Sequence, residues 1–130
     1  MAKTIKAYYI DPINNIAEAR EITPELDTYY ELIHTDVIDI VNRGFTNCKR
    51  RFDIICDDED LFKDDPYISA IDERMQPMLV GALLVTGEAD DEGELTSLTD
   101  EDVRVLERFT FRLASRVHRK PYPLLGHLTY

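Results

Sequence analysis

The sequence predicts an α+β domain in which a mostly antiparallel sheet of about five strands carries two helices on one face. Three observations predict this class. Short runs of β-branched and aromatic residues are bounded by turn residues, two segments show helical spacing behind a capping signal, and the 130 residues fit one domain. We assign residues 1–120 to a single domain and residues 121–130 to a carboxyl-terminal tail.

The first elements are expected to be a hairpin and a helix. Residues 4–10 and 15–22 are rich in residues that favour strands, and the sequence DPINN between them favours a tight turn. The helix is expected to begin with Thr23 as its cap and Pro24 in its first turn. Its apolar residues recur at helical spacing as far as about His34.

The middle of the chain predicts three further strands. Residues 36–41 and 51–56 read as strands on either side of a polar turn, and the second of them places Phe52, Ile54 and Cys56 on one face. Residues 67–71 favour a helical turn. The apolar run PMLVGALLV (77–85) predicts one strand that is buried on both faces, with a bulge at Gly81.

The last helix begins with a recognisable signal. Thr99 followed three residues later by Asp102 resembles a capping box, so the helix is expected to run from there to about His118, before Pro121. Along it a basic residue recurs at every fourth position. These are Arg104, Arg108, Arg112, Arg116 and Lys120.

The charge of the chain is strongly segregated. The formal net charge is -11, yet residues 57–102 hold 16 acidic and 2 basic residues, whereas residues 103–130 hold 6 basic and 1 acidic residue. We interpret the basic helix first as architectural, lying beside the acidic segment and offsetting its repulsion. The alternative is that it binds an acidic partner. Phe111 is expected to project from the outward side of this helix, where an exposed aromatic ring indicates a contact.

Motifs for chemistry are missing from the sequence. The glycines form no phosphate-binding loop, and Cys48 and Cys56 are too few for a disulfide framework or a zinc site. Residues 88–99 place acids and a glycine as a calcium loop does, but Thr99 stands where a bidentate Glu is needed. We therefore predict no catalytic residue, no metal site and no cofactor.

The order of the elements also resembles a known family. The strings IKAYYIDP, VIDIV, MLVGALLVTG and LTSLTDEDV are similar to those of a family of small domains of unknown function found in phages, plasmids and their host bacteria. The resemblance covers roughly residues 4–109, and the chain departs from it in residues 62–77 and in its basic end. It implies a mobile-element setting and no particular activity.

The charge pattern and this resemblance together predict a small acidic, non-enzymatic interaction protein. Its carboxylates would imitate the phosphates of DNA and bind a basic host protein, such as a defence factor. Direct nucleic-acid binding is not expected, because the net charge repels phosphate. The expected partner-binding residues are Asp57, Asp58, Glu59, Asp60, Asp64, Asp65, Asp90, Asp91, Glu92 and Phe111.

Two other functions remain open from the sequence. The first is a protein that binds or sequesters a nucleotide or signalling metabolite, in a pocket formed by Tyr8, Tyr9, Tyr29, Tyr30, Arg50 and Arg51. The second is a homodimer that uses Phe111 and the tail. No run of about 18 apolar residues and no signal peptide are seen, so we expect a cytoplasmic protein without a membrane partner.

Overall fold

The chain forms two β-sheets and two helices in a computed structural model that describes residues 3–57, 67–114 and 118–130. The first sheet has six strands in the order β10-β3-β4-β7-β1-β2, and the second has four in the order β6-β5-β9-β8. The elements are β1 (Ile5–Asp11), β2 (Ile16–Ile22), α1 (Leu26–Ile33), β3 (Ile38–Phe45), β4 (Arg51–Asp57), β5 (Ile68–Ile71), β6 (Pro77–Val80), β7 (Leu83–Thr86), α2 (Asp100–Arg108), β8 (Thr110–Leu113), β9 (Tyr122–Leu125) and β10 (Leu128–Thr129).

The six-stranded sheet is buried on both faces. On β1, Tyr9 packs with Tyr29 and Ile33 of α1, whereas Ile10 belongs to a second core that includes Leu106 of α2. Successive residues of a strand point to opposite faces, so apolar residues at neighbouring positions require cover on both sides. The α+β class is therefore confirmed. The prediction of one sheet of about five strands was wrong, because the chain forms a six-stranded and a four-stranded sheet, and the helices do not share one face.

Gly81 divides the apolar run 77–85 between the two sheets. The run was predicted as one strand, but β6 ends at Val80 in the second sheet and β7 begins at Leu83 in the centre of the first. Gly81 adopts a left-handed φ of 76°, and its N–H donates to Tyr67 O at 2.7 Å. A glycine accepts this backbone conformation without steric cost.

The second sheet also replaces a predicted helical turn. Residues 68–71 form β5, which pairs with β6 in antiparallel and with β9 in parallel orientation. The helical prediction for residues 67–71 was wrong because strand pairing overrides a weak local preference.

The N-cap of helix α1 lies two residues after the predicted cap, Thr23. Glu25 is the N-cap, and its side chain makes no capping hydrogen bond. The Glu25 N–H donates to Thr23 O at 2.9 Å. The helix ends as predicted at His34, which takes a left-handed φ of 67° and donates its N–H to Tyr30 O. Such a residue terminates a helix and turns the chain away from its axis.

Helix α2 is much shorter than the sequence predicts. The capping box is confirmed, since Asp102 N donates to Thr99 Oγ1 at 3.0 Å and Thr99 N donates to Asp102 Oδ2 at 2.9 Å. The helix ends at Arg108, and residues 110–113 form β8 against β9. The prediction of a long basic helix was therefore wrong. Arg112 lies on a strand, and Arg116 lies outside the described residues.

The final residues complete both sheets. Whether residues 121–130 pack was open from the sequence, and they supply β9 to the second sheet and β10 to the edge of the first. Leu124, Leu125 and Leu128 are buried. Within the described residues, neither helix is long and apolar enough to cross a membrane.

Candidate functional site

Residues 88–94, which we term the acidic turn, form a rigid loop after β7. Asp90 Oδ1 accepts the N–H groups of Glu92 and Glu94 at 2.9 and 3.0 Å. The main chain closes the same loop, because Asp90 N donates to Glu94 O and Gly93 N donates to Asp90 O, both at 2.9 Å. A short Asp side chain commonly organises a turn in this way. The carboxylate of Asp90 is thus committed to the backbone.

The acidic turn is also fixed to the six-stranded sheet. Asp53 of β4 is buried, and its Oδ2 accepts the Ala89 N–H at 2.7 Å. Asn42 of β3 donates its amide to Asp53 Oδ1 at 2.9 Å and to Glu88 Oε2 at 3.0 Å. These bonds orient the start of the turn relative to the sheet.

The remaining carboxylates of the turn are exposed and uncompensated. Asp91, Glu92 and Glu94 form no ion pair with any residue that the structure describes. The sequence has no lysine or arginine between Arg74 and Arg104. The turn is therefore a fixed patch of negative charge.

The acids of the following helix are compensated instead. Lys6 Nζ lies 2.6 Å from Asp100 Oδ1, and the hydrogen bond from Lys6 lowers the pKa of Asp100. Arg50 lies 3.2 Å from Glu101 and 2.7 Å from Asp102. Asp102 is the only one of these three acids that is largely shielded from solvent. The other two acids are exposed, and such surface ion pairs contribute little to stability.

A cavity of about 560 Å³ opens beside the acidic turn, between β1, β3 and the start of α1. Its apolar lining includes Tyr29, which is buried, and Ile40, which is 47 % exposed at the surface of β3. Glu25, Glu94 and Lys3 also line it. Burial, and then the charge of Glu25, raise the pKa of Tyr29, so this phenol stays neutral. The site thus combines an apolar floor with a mainly acidic border.

The structure places the other predicted partner-binding residues elsewhere. Asp57 is buried at the end of β4, so its side chain is not displayed on the surface. Phe111 is exposed as predicted, but it lies on β8 at the edge of the second sheet, against Gly126. Five predicted residues lie outside the described residues: Asp58, Glu59, Asp60, Asp64 and Asp65.

The six residues proposed for a ligand pocket do not converge. Tyr8 lies in the core between the sheets, with its hydroxyl 3.0 Å from Thr110 Oγ1, and Tyr9 points to the opposite face. Tyr29 lines the cavity beside the acidic turn, whereas Arg50 and Arg51 line a different cavity of about 420 Å³. Tyr30 is half-buried on α1.

A buried network around Asp11 was not foreseen from the sequence. Asp11 is 1 % exposed, and its carboxylate contacts Asn14 Nδ2 at 2.7 Å, His34 Nε2 at 2.9 Å and the Tyr9 hydroxyl at 3.1 Å. Burial alone raises the pKa of Asp11, but the hydrogen bonds from Asn14 and His34 outweigh it and lower that pKa. The Asp-Pro pair signalled the turn, whereas nothing local signalled His34.

Comparison with known proteins identifies a family but no activity. A family model described as "Domain of unknown function (DUF3846)" matches residues 5–111, which end inside β8. No curated protein and no solved structure matches the chain. Among the described residues, no group of three or more His, Cys, Asp or Glu is placed to hold a metal ion.

Proposed function

The chain belongs to this family of domains of unknown function, and from that premise we propose that it is a small acidic interaction domain that binds a basic protein without catalysing a reaction. One observation carries the proposal. The acidic turn is held by hydrogen bonds to Asp90 and Asp53, it has three exposed carboxylates that pair with no cation among the described residues, and it borders a cavity with an apolar floor.

The rigidity of the turn favours binding because little conformational entropy is lost when a partner contacts it. Uncompensated carboxylates attract a positively charged surface and accelerate encounter with it. The ion pairs of Asp100, Glu101 and Asp102 are already made within the chain, so these acids contribute less.

The cavity supplies the apolar half of the interface. An aliphatic or aromatic side chain of the partner would enter between Tyr29 and Ile40, while neighbouring lysines or arginines contact Glu25, Glu94 and the turn. Interfaces of this kind depend on a buried anchor surrounded by polar contacts. The occupant is therefore a basic segment with an apolar residue in it.

In the same proposal the gene belongs to a phage or plasmid, and the partner is a basic host protein, for example a defence or DNA-processing factor. The carboxylates then stand in for the phosphates of DNA. The net charge of -11 supports the imitation of DNA, and the phage or plasmid setting rests on the resemblance seen in the sequence.

The experiment compares two charge-matched variants in affinity purification from a bacterial host lysate. Asp91→Asn with Glu92→Gln removes two charges of the acidic turn, and Glu73→Gln with Glu107→Gln removes two exposed charges elsewhere. A partner that depends on the turn is then purified and titrated by calorimetry. We expect the first pair to weaken the Kd at least tenfold and the second pair less than about twofold.

Salt and the cavity provide two further readouts. Raising the salt from about 50 to 300 mM should weaken binding steeply, because exposed charge pairs are screened. Ile40→Ser should weaken binding at both salt concentrations, since it removes the apolar wall. A partner that binds equally to both charge variants, or the absence of any basic protein that needs the turn, would contradict the proposal.

A further inference from the structure

A separate cleft, of about 280 Å³, lies at the tip of the β1–β2 hairpin. Pro12 and Ile13 of the hairpin form one wall, and Ile13 is 58 % exposed. Tyr67 and His118 line the cleft as well, as do Arg119 and Lys120. The volume is close to the lower end of the range of small-molecule sites, about 300 to 1,000 Å³, so the cleft suits a small ligand.

The aromatic lining is preorganised. The rings of Tyr67 and His118 are stacked with centroids 3.5 Å apart and an interplanar angle of 16°. Tyr122, which is buried, meets Tyr67 edge-on at 5.2 Å and holds it in place. Tyr67 and His118 are both half-buried, so they line the cleft as an ordered aromatic pair. Planar ligands stack on such groups with little loss of side-chain entropy.

The cleft also carries two basic side chains. Arg119 and Lys120 are exposed and form no ion pair with a described residue, and the described residues that line the cleft include no Asp or Glu. Arg112 of β8 contacts the side chain of Asn15, which fixes the hairpin turn beside them. A compact anion such as phosphate is recognised by guanidinium and ammonium groups.

We propose that this cleft binds a nucleotide, with its base between Ile13 and the Tyr67–His118 pair and its phosphate at Arg119 and Lys120. The site is distinct from the acidic turn and does not depend on the function proposed above. It also differs from the six residues that the sequence indicated for nucleotide binding, because none of them lines this cleft.

The acidic turn does not exclude this site, because the two lie at opposite ends of β1. The cleft adjoins the Asp11 end of β1, and the acidic cavity adjoins its Ile5 end. At a rise of about 3.4 Å per residue the strand separates its two ends by about 20 Å. That separation is about two and a half times the screening length at physiological salt, so the acidic turn contributes little to the field in the cleft.

The probe for the experiment is adenosine 5′-monophosphate, titrated into the full chain by calorimetry and followed by thermal unfolding. Arg119→Gln with Lys120→Gln should weaken its Kd at least tenfold. Tyr67→Leu should weaken it as well, through loss of stacking. The matched control is Arg104→Gln with Arg108→Gln, two exposed cations of α2, which should change the Kd less than about twofold.

Three related ligands separate the contributions. Adenosine and inorganic phosphate each supply half of the contacts and should each bind at least tenfold more weakly than the nucleotide. A short oligodeoxyadenylate tests whether a nucleotide within a single strand is accepted too. Equal effects of the two arginine-containing pairs, equal binding of phosphate and nucleotide, binding of the strand but not of the free nucleotide, or no binding at millimolar nucleotide would each overturn the proposal.

Discussion

His34 Nε2 lies 2.9 Å from Asp11 Oδ2, although 23 residues separate them in the sequence. The contact joins the carboxyl end of α1 to the turn between β1 and β2, where Asp11 Oδ1 also accepts the N–H groups of Ile13 and Asn14. One buried carboxylate therefore holds a hairpin turn and a helix end together.

Asp11 should make the free energy of unfolding depend on pH in the acidic range. Its hydrogen bonds lower its pKa in the folded chain, so its contribution to stability is complete above the unfolded value of about 3.9 and is lost as the pH falls through the folded value. Asp11→Asn should cost about 1–3 kcal/mol at pH 7 and should flatten the dependence below about pH 4. Urea unfolding across this range measures both effects. Asp91→Asn is the control, and a profile for Asp11→Asn parallel to that of the wild type would contradict the prediction.

The capping box should determine the stability of α2, which has only nine residues. Thr99→Ala removes the acceptor for the Asp102 N–H, and we expect a loss of about 1 kcal/mol in the free energy of unfolding. Asp102→Ala should cost more, because it also removes the 2.7 Å contact with Arg50. Thr99→Ser keeps a hydroxyl cap and should be nearly neutral. Equal losses for Thr99→Ser and Thr99→Ala would show that the hydroxyl is not the cause.

Gly93 provides a test of backbone strain in the acidic turn. Its φ is +81°, and a Cβ added there would meet no atom within 4 Å, so steric crowding makes no contribution. Gly93→Ala should therefore destabilise the protein by about 1 kcal/mol through the left-handed conformation alone. Gly93→Asn should cost less, because Asn tolerates this region. The comparison uses urea unfolding, and a more stable Gly93→Ala protein would refute the assignment.

Leu106 tests whether the short α2 is part of the main core. Its side chain is fully buried with Tyr8, Val85 and Leu125, which come from both sheets. Leu106→Ala should cost about 2–5 kcal/mol, because it leaves a cavity between the helix and the sheets. Leu26→Ala on α1, where the side chain is 58 % exposed, is the control and should change stability by less than about 0.5 kcal/mol. Similar losses at both positions would contradict this packing.

Local signals explain the elements that sequence reasoning predicted well. The first two strands, the DPINN turn and the capping box of α2 each depend on residues only a few positions apart. The same holds for β4, whose residues Phe52, Ile54 and Cys56 share one core as alternation requires. Membership of a family of domains of unknown function was also predicted, and the family match over residues 5–111 confirms that membership.

The errors arise where a distant partner overrides a local pattern. The capping box at Thr99 and the next proline at Pro121 favoured a helix to about His118. Instead, the strand after Arg108 pairs Thr110 with Leu125 and Leu113 with Tyr122. Likewise, an unbroken apolar run did not reveal that Gly81 sends its two halves into different sheets. Strand pairing forms hydrogen bonds between residues that are distant in the sequence, so a short stretch of sequence does not reveal them.

The sequence by itself determined the α+β class, the positions of several turns and caps, and the separation of acidic from basic segments, because each depends on residue type and near neighbours. Only the tertiary structure decided that both sheets contribute to one core and that Asp11 contacts His34. It also decided which carboxylates form ion pairs. These features depend on contacts between residues far apart in the chain. Such contacts form only when both partners are already positioned by the rest of the fold.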